Sequence, residues 1–314
     1  MQERGKYMKQ AVIDIGSNSI RLTLYEIQED TFKILFREKV MAGLAGYVED
    51  GKLNMDGIES ACEGLLKFRS ILETLEIENI SVFATASLRN ISNTSEALSV
   101  INAATGYNVE IISGEDEALF GYYGVTAELN LSSGVFIDIG GASTEIVMFD
   151  DGIPSNYNSF PVGSLSLYRN FVKKILPGKS SIKDINEEIR DKIDIDKELI
   201  SPHSLLIGVG GTARAAMKLS NHYHRISDES ASMTTEQLDE LVSFLLSGKK
   251  EACDMILKHE ADRIHTIIPG ILILRHVVHL FEAKQLIVGR YGVREGYLCQ
   301  RIIKKNTIIP KIVN

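Results

Sequence analysis

The stretch AVIDIGSNSIRLTLYEI, residues 11–27, runs an apolar strand into an aspartate, turns through Gly16, Ser17, Asn18 and Ser19, and leaves on a second apolar strand. The same device returns in GVFIDIGGASTEIVMFDDG, residues 134–152. With Asp14 set on Asp138, the two stretches match in kind: Asp-Ile-Gly, then small or hydroxyl residues, then an apolar strand. A plain hairpin needs no carboxylate at its mouth and would be served by Asn-Gly. Two copies 124 residues apart (138 − 14) point to a chain of two halves, each opening on its own hairpin. The polar stretch ELNLSSG at 128–134 lies between them, so domains are expected at 1–128 and 129–314.

Further strand-like runs at 32–40, 80–85, 108–112, 157–162, 205–209 and 286–289 alternate with helical patterns. MDGIESACEGLLKFRSILETL (55–75) has apolar residues at helical spacing, with Asp56 and Glu59 placed like a capping box. GEDEALFGYYGVTAEL (114–129) opens on three acids, which suits the positive end of a helix dipole. Other helices are expected at 164–175, 181–198, 211–222, 234–246, 250–257, 268–282 and 293–302. This alternation indicates an α/β class with mixed sheets.

A chain of 314 residues can bury two cores of ordinary size. Its net charge of −8 argues against a general nucleic-acid binder, which carries a basic face. It leaves room for a compact anion, because a nest of backbone N–H groups acts locally. The three cysteines, Cys62, Cys253 and Cys299, show neither zinc spacing nor a disulfide framework, so a reducing cytoplasm is expected. The start MQERGKYMKQ is too polar for a signal peptide and no apolar run of 18 residues follows, so no membrane partner is expected. His276 and His279 share a helix face without a third ligand nearby and read as core or capping residues. The mildly basic tail KKNTIIPKIV reads as solvated.

Glycine lets backbone approach a ligand, and successive N–H groups in such a turn form an anion-binding concavity. Gly16, Ser17, Asn18 and Ser19 in the first hairpin, and Gly140, Gly141, Ala142, Ser143 and Thr144 in the second, are therefore candidate phosphate cradles. One such turn would pass for an ordinary tight turn; the repetition favours a pair of phosphate clamps. A carboxylate repels phosphate but can hold Mg²⁺ through water, and Mg²⁺ bridges to phosphate. LLIGVGGTARAAMKL (205–219) adds a strand, a turn with Gly210, Gly211 and Thr212, and a helix. It fits a phosphate site at a helix N-terminus, or equally a tight strand–helix connection. It satisfies neither the Walker A nor the dinucleotide pattern.

With ATASLRNISN at 84–93, EIISGEDEALFGYYGV at 110–125, ADRIHTIIPGILIL at 261–274 and GRYGVREGYL at 289–298, these segments come in the order seen in the exopolyphosphatase / guanosine-pentaphosphate phosphohydrolase (Ppx/GppA) family. The chain resembles that family from about residue 10 to about 302. The resemblance implies two ribonuclease-H-like domains of the actin, sugar kinase and Hsp70 superfamily around a central cleft. It implies Glu117, directly before the alanine of the SG-x-x-EA segment, as catalytic base, and Arg89 of the SLR segment as a phosphate contact. Asp138 and Glu145 match the family's metal and phosphate carboxylates, Asp14 matches the first-hairpin aspartate, and Gly210, Gly211 and Thr212 match its glycine-rich turn. Mg²⁺ or Mn²⁺ as cofactor and a homodimer follow from the same resemblance.

The implied reaction is release of the terminal phosphate of inorganic polyphosphate by in-line attack of water. Hydrolysis of guanosine pentaphosphate to tetraphosphate is the alternative, and a non-catalytic polyphosphate or alarmone binder a third reading. Glu117, Asp138 and Glu145 favour the enzyme. No motif supplies a slot for guanine, whereas Arg37, Lys39, Arg89, Arg263 and Arg294 are candidate cations for a phosphate chain. The chain departs from the family at Ala142, where glycine is usual, at Gly210, where serine is usual, and in the loop 40–53, which is apolar around 41–46. It shows no counterpart of the C-terminal domain of long members and resembles the short, two-domain type.

Overall fold

A computed structural model describes residues 7–196, 198–200 and 202–303; the first six residues and the tail from 304 lie outside the described residues. Two compact units result, one taking the chain to Glu128 and again from Val293, the other Leu129–Gly292.

In the first unit β1 (Met8–Ile15), β2 (Ile20–Gln28) and β3 (Thr31–Val40) form an antiparallel meander. After a small hairpin of β4 (Val48–Glu49) and β5 (Lys52–Leu53) come α1 (Met55–Thr74), β6 (Ile80–Ala84), α2 (Ala86–Arg89), α3 (Thr94–Thr105), β7 (Val109–Ile111) and α4 (Gly114–Thr126). The sheet order is β3-β2-β1-β6-β7, with β1, β6 and β7 parallel. Alternation along the strands separates two faces. Ala11, Ile13 and Ile15 join Ile20, Leu22 and Leu24 on one face, and Ile58, Leu65, Phe68 and Leu72 of α1 with Ala97 and Ile101 of α3 complete that core. Each such large apolar side chain contributes about 1.5–3 kcal/mol by leaving water. Val12, Asp14, Arg21, Thr23 and Tyr25 share the other face, as the register Asp14 to Arg21 and Val12 to Thr23 requires.

In the second unit β8 (Gly134–Ile139), β9 (Thr144–Asp150) and β10 (Ile153–Phe160) repeat the meander. They lead to α5 (Ser164–Phe171), α6 (Lys179–Lys192), β11 (Leu205–Val209), α7 (Gly210–His224), β12 (Ser232–Thr234), α8 (Thr235–Leu245), α9 (Lys250–His259), α10 (Ile267–Leu280) and β13 (Gln285–Val288). The order β10-β9-β8-β11-β13 copies the first sheet, with β12 added antiparallel at the edge. Val135, Ile137 and Ile139 of β8 meet Ala216 and Leu219 of α7 and Ile271, Leu274 and Val278 of α10 in its core. Both units thus carry the ribonuclease-H-like strand order. No helix among the described residues is long and apolar enough to cross a membrane.

Two expectations need correction, and two helices were not expected. The segment from Val293 belongs to the first unit, not to a domain 129–314. There α11 (Val293–Tyr297) lies against α4, because Gly296 has no Cβ to strike the Phe120 backbone, and Tyr297 stacks on Phe83 at 4.8 Å while its hydroxyl donates to Glu110 at 2.8 Å. The cap of α1 is Asn54, whose extended backbone lets its side chain accept from the Gly57 N–H at 3.0 Å, rather than a box of Asp56 and Glu59. Helices α2 and α3 carry too little apolar periodicity to announce themselves: α3 buries Ala97, Ile101 and Thr105.

Candidate active site

In the first unit the hairpin 16–19 closes with the Gly16 N–H donating to the Ser19 carbonyl at 3.1 Å. A Cβ on Gly16 would stand 3.1 Å from that same oxygen, so the closure suits glycine. The Ser17 and Asn18 carbonyls accept from Ala45 N (2.9 Å) and Gly43 N (3.0 Å). These bonds hold the turn by its carbonyls, and among the described residues no backbone acceptor outside the helices and strands takes the Ser17 or Asn18 N–H. The loop that departs from the family pattern therefore supports the hairpin through its backbone. Its apolar residues Ala42 and Leu44 are core.

Asp14 stands at the hairpin's mouth, half-buried, and its carboxylate takes no hydrogen bond among the described residues. Burial pushes its carboxyl above the ordinary value, opposed by the Arg294 and Arg21 guanidinium groups and reinforced by Glu295. Just beyond β6, the Ser87 hydroxyl donates to the Ile15 carbonyl at 2.6 Å, docking α2 beside the hairpin. From α2, Arg89 reaches Glu117 with Nη1 2.7 Å from Oε2, and also donates to the Ile112 carbonyl at 3.2 Å. Glu117 is buried on the first turn of α4, whose N-cap Ser113 accepts from Asp116 N at 3.0 Å. The SG-x-x-EA segment thus encodes a cap and a carboxylate one turn on, and the SLR segment supplies that carboxylate's counter-charge.

The second unit repeats the hairpin. Gly140 N donates to the Ser143 carbonyl at 2.9 Å, and a Cβ on Gly140 would again lie 3.1 Å from that oxygen. Here the first turn of α5 holds the carbonyls: Ser164 N donates to Gly140 O at 3.0 Å, and Leu165 N and Ser166 N to Gly141 O at 2.9 Å each. Gly163 makes this possible, since a Cβ there would sit 2.5 Å from Ala142 N and from the Gly141 carbonyl. Gly163→Ala is expected to lower stability by about 1–3 kcal/mol, the scale of forced overpacking, read as a reduced thermal midpoint; an unchanged midpoint would refute the tight seat. Ala142 has no positive φ, so replacing glycine there costs no backbone strain.

Asp138 and Glu145 are direct cross-strand partners, and Ser159 continues the row, donating to Glu145 Oε1 at 2.8 Å. Glu145 is 2% exposed. The Gly210 turn has φ 79° and lies so close over Asp138 that a Cβ would strike its carboxylate, which accounts for glycine where serine is usual. Arg263 presses its guanidinium on Gly211 in the same way and faces Glu260 at 3.7 Å. The hydroxyls of Thr144 and Thr212 donate to the Val162 and Ile139 carbonyls (2.6 and 3.3 Å), so these side chains serve the fold.

The first unit brings together Asp14, the hairpin, Arg89 and Glu117; the second brings together Asp138, Glu145, the second hairpin and the α7 turn. Among the described residues no three His, Cys, Asp or Glu side chains converge as a metal cage. Two carboxylates directly opposite each other repel, and this pair fits a hard cation that completes its shell with water and phosphate oxygens. Of the proposed chain-binding cations, Arg89 and Arg263 face Glu117 and Glu260 as above, Arg37 pairs with Glu295 at 3.3 Å, and Arg294 donates to Thr23 Oγ1 at 3.0 Å. Sequence reasoning missed Glu295, which is 2% exposed and also accepts from Tyr25 at 2.9 Å. Its signal was the Arg-Glu-Gly of GRYGVREGYL, in which only Arg294 had an expected role.

The Ppx/GppA phosphatase family matches residues 23–305. A Haemophilus influenzae protein named as a candidate exopolyphosphatase is 28% identical over 302 residues, covering 95% of this chain and 92% of its own. A guanosine-5′-triphosphate,3′-diphosphate pyrophosphatase of Vibrio parahaemolyticus is 25% identical; all of this chain aligns, but to only 63% of that protein's length. The crystal structure of an Aquifex aeolicus Ppx/GppA member superposes with a TM-score of 0.77 at 26% identity, covering 96% of this chain and 100% of that one.

Proposed function

Since the chain belongs to the Ppx/GppA phosphatase family, we propose that it hydrolyses phosphoanhydrides, releasing the terminal phosphate of inorganic polyphosphate, with guanosine pentaphosphate as the slower substrate. The observation that carries this reading is the run of contacts from hairpin to base: Ile15 carbonyl to Ser87, α2 to Arg89, Arg89 to Glu117. It sets a buried carboxylate and a guanidinium beside a turn suited to phosphate. Glu117 accepts the proton of the attacking water, and Arg89 offers its remaining donors to the phosphoryl oxygens. The hairpin N–H groups orient the end group, so that water and leaving oxygen stand in line. Asp138 and Glu145 of the second unit would hold Mg²⁺ or Mn²⁺; such an ion, when bound, neutralises phosphoryl charge.

The clamps address only an end phosphate, so substrate choice rests on the rest of the ligand. A phosphate chain needs spaced cations; guanine needs an apolar slot with polar groups for its edge. The second reading draws on the Vibrio parahaemolyticus relative, whose name specifies the guanosine substrate. Phosphate release should be followed with short polyphosphate and guanosine pentaphosphate present together at fixed ionic strength. Faster loss of polyphosphate is expected. Faster loss of guanosine pentaphosphate would reverse the ranking, and release from neither would leave a binding module.

A further inference from the structure

We infer that Arg294 is a positioning residue for Asp14: it fixes a positive charge beside the hairpin carboxylate so that the turn 16–19 can take an anion next to an acid. This rests on the reading of that turn as a phosphate clamp. A carboxylate at the mouth of an anion site opposes the ligand it is meant to serve. Among the described residues no donor hydrogen-bonds to the Asp14 carboxylate, so the offset that the protein itself supplies acts through space.

The geometry supplies it from the far end of the chain. Asp14 pairs with Arg21, and Thr23 lies two residues along β2 on the same face, diagonal to Asp14 and about 7–8 Å away between backbones. Arg294 Nη1 donates to Thr23 Oγ1 at 3.0 Å, which brings the guanidinium within Coulombic reach of Asp14. Thr23 is fully buried, so the anchor does not wander. Its neighbours are clamped too. Glu295 accepts from Tyr25 at 2.9 Å and from Arg37 at 3.3 Å, so it has partners besides the neighbouring arginine. Burial and Glu295 push the Tyr25 phenol well above its ordinary value, so it stays a donor. Gly296 and Tyr297 seat the helix on Phe120 and Phe83. Arg21 differs in kind: its Nε donates to Ser19 Oγ at 3.2 Å, so it belongs to the turn. Arg294 is anchored on Thr23, outside the turn.

The test is binding of inorganic phosphate by titration calorimetry in metal-free buffer, alongside KM and kcat for tripolyphosphate. Arg294→Gln should weaken phosphate binding and raise KM about tenfold, the effect of one opposite charge at close range, with kcat moved less. Thr23→Val, which removes the anchor and keeps the shape, should give a smaller loss in the same direction and covers the case in which Arg294→Gln fails to fold. Adding Asp14→Asn to Arg294→Gln should restore much of the phosphate affinity, because the acid to be offset is gone. Wild-type affinity in both Arg294→Gln and Thr23→Val would overturn the inference and leave the hydrolase reading intact. A double variant no better than Arg294→Gln would also overturn it, making Arg294 a direct phosphate ligand or a structural brace. A wild-type protein that neither binds phosphate nor releases it would instead sink the reading of the site.

Discussion

Glu117→Gln is expected to cut phosphate release by about 10² to 10⁴, the scale of a lost general base, while fold and substrate affinity persist. Glutamine keeps the shape and one acceptor oxygen for Arg89 Nη1, now 2.7 Å from Glu117 Oε2. It cannot take a proton from water. The helix cap is untouched, because the Ser113 hydroxyl accepts from Asp116 N and the Ser113 carbonyl from Glu117 N, and neither bond uses the Glu117 carboxyl. Loss should therefore fall on kcat, measured in single-turnover experiments with KM near wild type. Turnover within a few-fold of wild type would remove Glu117 from the proton-transfer step. Glu115 and Asp116 of the same turn would then be tested, although Asp116 already has a partner in Arg301 at 3.7 Å.

Chelation is the second large effect. With EDTA, activity should disappear, and it should return with Mg²⁺ or Mn²⁺. The reason lies in the row Asp138, Glu145 and Ser159 across three strands. Two carboxylates directly opposite one another, one of them 2% exposed, repel at close quarters. A cation converts that repulsion into a ligand set of hard oxygens. Asp138→Asn and Glu145→Gln should each raise the Mg²⁺ concentration needed for half-maximal rate, and Mg²⁺ should raise the thermal midpoint of wild type more than that of either variant. Full activity in a chelated sample would end the metal proposal.

Local signals were legible where chemistry is local. The two Asp-Ile-Gly hairpins could be read because glycine, small hydroxyl residues and flanking apolar strands each encode their own geometry, and both turns close with the same glycine N–H to serine carbonyl bond. Periodicity placed α1 and α10, whose apolar stripes are long. It missed α3 and the two-residue strands β4 and β5, whose formation depends on neighbours more than on their own pattern.

What the chain determines by itself is the two-fold plan: repeated strand–turn–strand units, alternating strands and helices, and acids set at turn mouths and at a helix start. Tertiary structure decided which unit the last helix joins, since that turns on Gly296 clearing the Phe120 backbone and on Tyr297 meeting Phe83, contacts between residues more than 170 positions apart. It also decided the fate of the arginines. Arg37, Arg89 and Arg294 look alike in a sequence, as cations available to phosphate. Glu295, Glu117 and Thr23 are what give them different roles, because a charge is defined by its partner, and partners here come from 28 to 271 positions away.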